Sequence, residues 1–170
     1  MPEPIVEEPS SSPEVSTNPS LAVTPNDIAR FNSKVVRSPS CWFWTGAIST
    51  PDGYGRFTWQ RDNEQRTMLA HRFALLSAGV NLPPGSVAEH ACNEPLCVRV
   101  DDAHVHVSTQ RDNLIYAVRS GRHLGPHAAV SSTNRARRSL RIRAALIDGW
   151  DSAAFYVAIT EPAPEQPPLF

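Results

Sequence analysis

The sequence predicts a small α+β domain, with an N-terminal β-hairpin and a strand–loop–strand–helix (ββα) unit, held between two disordered tails. Three observations predict it. Aromatic residues at Trp42, Trp44, Tyr54, Phe57 and Trp59 flank the turn signal Pro51-Asp52-Gly53, the pattern of a hairpin between half-buried strands. A strand-like run ending at His90 and the alternating His104-Val-His-Val-Ser108 bracket a loop and lead into a helix start. Both ends of the 170-residue chain are dominated by Pro, Ser and Glu, which bury too little apolar surface to offset the entropy of ordering.

Four stretches follow in order. Residues 1–24 carry four acids and no base and read as an acidic, Pro/Ser-rich tail. Residues 25–125 form the domain. Its first element is a short helix from Pro25, with Thr24 or Asn26 as cap. The aromatic hairpin comes next, then a polar turn at 61–65, then a helix over about 70–79 with Phe73, Leu75 and Leu76 apolar and Gly79 at its end. Ser86-Val-Ala-Glu-His90 is the first strand of the ββα unit and His104-Val-His-Val-Ser108 the second. Thr109 with Asp112 three residues on has the form of a capping box, opening a helix through Asn113, Leu114, Ile115, Ala117 and Val118 that Gly121 ends. Residues 126–158 are an Arg-rich helical extension, with a helix over 134–150 whose Leu140, Ala144 and Ile147 face the body. Residues 159–170 are a Pro-rich tail.

The formal charge is −1, and Lys34 is the one lysine among 16 basic residues. Nearly all positive charge is therefore guanidinium, the group that matches phosphate with two parallel donors. No stretch reaches the ~18 consecutive apolar residues of a membrane span, and the N-terminus lacks the basic-then-apolar order of a secretory signal. The expectation is a cytoplasmic protein, not secreted and without a membrane partner. Thiols there stay reduced, so the three cysteines are not a disulfide framework.

The stretch EHACNEPLC at 89–97 concentrates the chemistry. Cys92 and Cys97 stand as C-x4-C, His104 follows after six intervening residues, and Cys41 lies beside the aromatic hairpin. Together they make a Cys3His set suited to tetrahedral structural zinc; the alternative is that the cysteines are small buried hydrophobes. His90 ends its strand, where a side chain can face a cleft, and Asn113 on the first turn of the next helix can look back at it. A histidine that deprotonates water and an amide oxygen that holds magnesium form an apparatus for phosphodiester hydrolysis.

Residues 41–122 resemble an HNH endonuclease of the His-Me finger (ββα-metal) superfamily, in the zinc-containing branch near phage HNH and His-Cys box homing endonucleases. The pieces that carry the resemblance are CWFWTG, GYGRF, AHR at 70–72, EHACNEPLC at 89–97 and AHVHVSTQRDN at 103–113, in the family's order. The resemblance implies a metal-dependent DNA endonuclease. His90 would be its general base, oriented by a backbone carbonyl, and Asn113 its magnesium ligand, with manganese as an alternative ion. Cys41, Cys92, Cys97 and His104 would hold structural zinc. His71 and Arg72 match AHR and Arg56 matches GYGRF, so these three are candidate phosphate contacts. Where the family has Cys-Val-Asn-Pro-x-His, this chain reads Cys97-Val-Arg-Val-Asp-Asp-Ala-His104, two residues longer. The brace supplied by the middle Asn has no counterpart, and His106 becomes a rival ligand.

Arg135, Arg137, Arg138, Arg141 and Arg143 crowd one helix with no intervening acid. Beside a nuclease this reads as a DNA contact surface, chiefly Arg137, Arg138 and Arg141; the alternative is a solvated amphipathic helix. The ending Gln166-Pro-Pro-Leu-Phe170 resembles the Q-x-x-L-F peptide that docks on bacterial sliding clamps, which makes a clamp a candidate partner against a plain tail. A homodimer would cut both strands of a palindromic site and a monomer would nick one. The alternatives to the enzyme are a catalytically inactive, zinc-stabilised DNA-binding or adaptor protein and a zinc-ribbon scaffold for protein partners.

Overall fold

The structure is a computed structural model and is described for residues 23–50, 52–119 and 128–160. Most of the expected tails, the helix stop at Gly121 and the QPPLF ending lie outside these residues. What the structure describes is a small mixed α+β fold. Helix α1 (Pro25–Asn32) is followed by strands β1 (Val35–Arg37), β2 (Trp42–Trp44), β3 (Ala47–Ile48), β4 (Gly55–Arg61) and β5 (Glu64–Leu69), then helix α2 (Ala70–Ser77). Strands β6 (Val87–His90) and β7 (Val105–Ser108) and helices α3 (Gln110–Arg119), α4 (Ala128–Leu146) and α5 (Ser152–Thr160) complete the order. Among the described residues the strands pair as β1–β2, β3–β4–β5 and β6–β7, all antiparallel.

Local chemistry accounts for these elements. Thr24, not Asn26, caps α1: its hydroxyl accepts from Asp27 N at 3.3 Å and its own N–H donates to the Asp27 carboxylate at 3.2 Å. Asp27 also receives Arg61 at 2.6 Å, which ties the helix start to the end of β4. Burial works against the Asp27 charge, yet the hydrogen bonds from Thr24 and the Arg61 guanidinium hold its carboxyl below the ordinary value. The hairpin expected around 51–53 is β3–β4. The polar turn at 61–65 makes a second hairpin, β4–β5, through Asp62 and Asn63 at φ 52° and 62°, a backbone shape that short polar side chains tolerate.

Strand β4 alternates, with Gly55, Phe57 and Trp59 buried and Thr58 and Gln60 exposed. Its inner face meets Phe31, Trp44 and Phe73 in an aromatic core, with Phe57 and Phe73 centroids 4.3 Å apart and Phe31 stacked on Trp44 at 4.9 Å. Gly46 of CWFWTG and Gly55 of GYGRF serve this core. A Cβ on Gly46 or Gly55 would meet the Trp44 ring at 2.2 or 2.4 Å, so only glycine lets the indole lie between them.

A second core gathers Cys41, Phe43, Leu96, Cys97, Ile142, Leu146 and Ala158. Helices α4 and α5 therefore pack on the cysteine-bearing elements. The inward face of α4 is Ala136, Ser139, Ile142 and Leu146, all buried, while Leu140 and Ile147 are 40% and 54% exposed. This corrects the face expected from the apolar residues Leu140, Ala144 and Ile147. The small residues win because α4 approaches the β3–β4 turn closely: a Cβ on Gly53 would lie 3.0 Å from the Ala136 backbone. No helix among the described residues is long and apolar enough to cross a membrane.

Candidate metal centre and adjoining pocket

The cysteines meet because the loop after β6 is stitched to β2. Trp44 N donates to Leu96 O and Val98 N to Trp42 O, both at 2.8 Å, and Phe43 bridges Cys97. The loop closes on itself through Cys97 N to Glu94 O at 3.0 Å and Leu96 N to the Glu94 carboxylate at 3.2 Å. Asn93, at φ 59°, turns it. Cys41, at the start of β2, is thereby carried to Cys92 and Cys97, and the three sulfurs lie within 4.8 Å of one another. Sulfurs bound to zinc at about 2.3 Å in a tetrahedron stand ~3.8 Å apart, so the cluster can hold a metal such as zinc with small adjustment.

The electrostatics point the same way. Hydrogen bonds from Cys41 and then Cys97 hold the Cys92 thiol far below its usual range, against burial, which raises it. Cys41, donating to Cys92 and Cys97 and buried, is pushed up. A divalent cation would favour the thiolate form at each of the three sulfurs.

His104, the expected fourth ligand, is not in this group. Its Nδ1 lies 2.7 Å from the Asp101 carboxylate, which also takes Arg99 Nε at 2.6 Å and Ala103 N at 3.0 Å. Asp101 is the hub of the lengthened 98–103 loop; slight burial opposes its charge, but His104 and then Arg99 lower its carboxyl. The rival ligand His106 faces Glu89 across the β6–β7 pair, its Nε2 4.0 Å from that carboxylate.

Next to the cysteines is a cavity of about 250 Å³ lined by His90, Asn113, Tyr54, Asn93, Ala117 and Arg135. Strand β6 ends on His90, and α3 begins just beyond β7, so Asn113 on its first turn faces back toward that strand end. The Thr109 cap holds this turn: its hydroxyl accepts from Asp112 N at 3.1 Å and donates to the Asp112 carboxylate at 2.7 Å. His90 is 6% exposed and neither ring nitrogen has a hydrogen-bond partner. The backbone carbonyl expected to orient it is therefore not engaged. Its ring is set by neighbours instead: His71 edge-on at 4.4 Å between centroids and Tyr54 at 5.8 Å. Burial, then the charges of His90, Arg72 and Arg56, hold the His71 imidazole well below its ordinary range, so it stays neutral.

The expected phosphate contacts divide. Arg56 lies 3.4 Å from Asp52 with over a third of its side chain exposed. Arg72 donates to Ser86 O at 2.8 Å and joins α2 to the entry of β6. Arg138 pairs with the buried Glu94 at 2.7 Å, Arg141 Nε donates to Ala158 O at 3.0 Å, and Arg143 Nε donates to Thr45 O at 3.0 Å. Arg138 and Arg141 thus hold α4 to the cysteine loop and to α5. Arg137 is half-buried. Sequence reasoning gave no site role to the pocket residues Tyr54 and Asn93, and it read Arg135 only among the arginines of a DNA-contacting helix, not as part of this pocket. Tyr54 stood inside the quoted GYGRF stretch, and Arg135 shares a helix face with Arg138 three residues on.

Over 87 residues the chain is 34% identical to Protein 2.8 of Escherichia phage T7, a match that covers 51% of this chain and 55% of that protein. The chain thus spans about half the length of this phage relative. No family model matches the chain, and no solved structure matches it.

Proposed function

We propose that this chain is a metal-dependent DNA endonuclease of the HNH type. The observation that carries the reading is that His90 and Asn113, from an adjoining strand and helix, line one cavity beside a three-cysteine cluster. His90, with both nitrogens unpaired, accepts a proton from water at one of them. Tyr54 and His71 flank its ring, and the buried setting keeps bulk solvent from competing. Asn113 offers the hard amide oxygen that magnesium or manganese prefers. Among the described residues no carboxylate lines this cavity, so the remaining ligands would be phosphate oxygens and water. Such an ion supplies charge neutralisation at the leaving oxygen.

Zinc on Cys41, Cys92 and Cys97 would contribute folding free energy and no chemistry. The Asp101 bond at Nδ1 leaves His104 Nε2 open, and His104 would join that set only if the 98–104 loop brought this nitrogen within reach of the sulfurs.

A plasmid-nicking assay with magnesium tests the reading. Zinc-loaded wild type should cleave, while His90→Ala and Asn113→Ala should each lose at least 10²-fold, the usual scale of acid–base and metal contributions. Equal cleavage by His90→Ala would make the site assignment wrong. DNA binding without any cleavage by wild type would leave the binding or adaptor role in its place.

A further inference from the structure

Resting on that reading, we infer that Arg135, supplied by α4 from outside the strand–strand–helix unit, is a phosphate-binding residue of the His90–Asn113 cavity. Arg135 lines the cavity, and its guanidinium carbon stands 6.0 Å from the Tyr54 ring centroid, while that ring neighbours His90. It is the one permanently charged side chain among the cavity's lining residues, and no carboxylate among the described residues pairs with it. The cavity wall thus carries one guanidinium and no carboxylate, a lining that suits an anion.

Helix α4 is placed for this. Arg138, one turn on, is tied to buried Glu94, and Arg143 Nε holds Thr45 O. Ile142 and Leu146 are fully buried, and Gly53 admits the Ala136 backbone. With the helix seated at these points, Arg135 is presented at the cavity on a rigid element. Its planar fork can give two parallel N–H bonds to the non-bridging oxygens of a phosphodiester. Arg137, Arg138 and Arg141 do not share this placement.

DNA binding by the cleavage-deficient His90→Ala protein isolates the effect from catalysis. A short duplex is titrated at several salt concentrations against His90→Ala and against His90→Ala/Arg135→Gln. The added substitution should weaken binding by roughly tenfold and reduce the slope of log affinity against log salt by about one, as loss of one phosphate contact does. Arg135→Lys, which keeps the charge and loses the fork, should restore the slope. An unchanged slope in a double variant that melts normally and keeps its zinc overturns the inference. If Arg135→Gln does not fold, phenylglyoxal modification of Arg135 in the His90→Ala protein decides: duplex DNA should slow it, and equal rates with and without DNA overturn the inference. Failure of wild type to cleave removes the nuclease reading but leaves both measurements valid.

Discussion

His71 shows how a buried side chain ties the proposed site to the stability of the fold. Its ring is 3% exposed, contacts His90 and Tyr54, and has no partner for Nδ1. Because burial keeps it neutral when folded, its folded value lies below the ordinary one near 6.5. Between those values the unfolded chain binds the extra proton and the folded chain does not. Stability is therefore complete above the unfolded value and falls as pH drops through about 6.5, approaching 1.4 kcal/mol per pH unit for one proton. Denaturation of wild type and His71→Gln between pH 7.5 and 5 checks this: the wild type should lose stability more steeply. Parallel curves would mean that the folded protein takes up this proton freely.

At the scale of elements, the ion pair of Arg138 and Glu94 joins α4 to the cysteine loop. Glu94 is 6% exposed and also receives Leu96 N. Arg138→Ala strands this carboxylate. The cost should be about 2 kcal/mol, below the 3–5 of a fully buried pair because Arg138 keeps a third of its side chain in water. Glu94→Gln in the same chain should recover part of the loss in urea unfolding. Additive losses in the double variant would show that the two side chains do not act on each other.

The element scale is also where the sequence was most and least legible. Thr109 with Asp112 announced α3 because a capping box is a local contract between residues three apart, whereas for α1 the sequence left Thr24 and Asn26 both open as cap. Strand β7 was readable from the alternation of His104-Val-His-Val-Ser108. The inward face of α4 was not. Leu140 and Ile147 outrank Ser139 in hydrophobicity, yet close approach to Gly53 selects the small residues, and that is a tertiary fact. Helix α5 went unforeseen: SAAFYVAIT is apolar almost throughout and has no helical periodicity to read. Within the site, the C-x4-C spacing foretold the meeting of Cys92 and Cys97, and the lone Cys41 was reasonably added. The capture of His104 by Asp101 arises in the lengthened loop, where no spacing rule applies.

For the molecule as a whole, the cysteine cluster lies where β2, the loop after β6 and the two C-terminal helices meet. Cys41 immediately precedes β2, Cys92 and Cys97 belong to the loop after β6, and α4 and α5 cover that core with Ile142, Leu146 and Ala158. The aromatic core of Phe31, Trp44, Phe57, Trp59 and Phe73 is separate and purely apolar. If zinc sits on the cysteines, its removal should act unequally on the two. A chelator should first disturb the packing of Trp150 and Phe155 on Phe43, whose centroids lie 5.0–6.1 Å apart, and release α4 and α5. Trp44 and Trp59 should keep their burial to higher denaturant. Trp150→Phe separates the signals, because its fluorescence then reports the aromatic core alone. Cys92→Ser should lose about one equivalent of zinc and mimic the chelator, since structural zinc supplies folding free energy of order 10 kcal/mol. A chelated wild type that melts like the untreated protein would mean that the three thiols are only buried apolar groups. The metal would then have no part in carrying α4, and Arg135 with it, to the cavity.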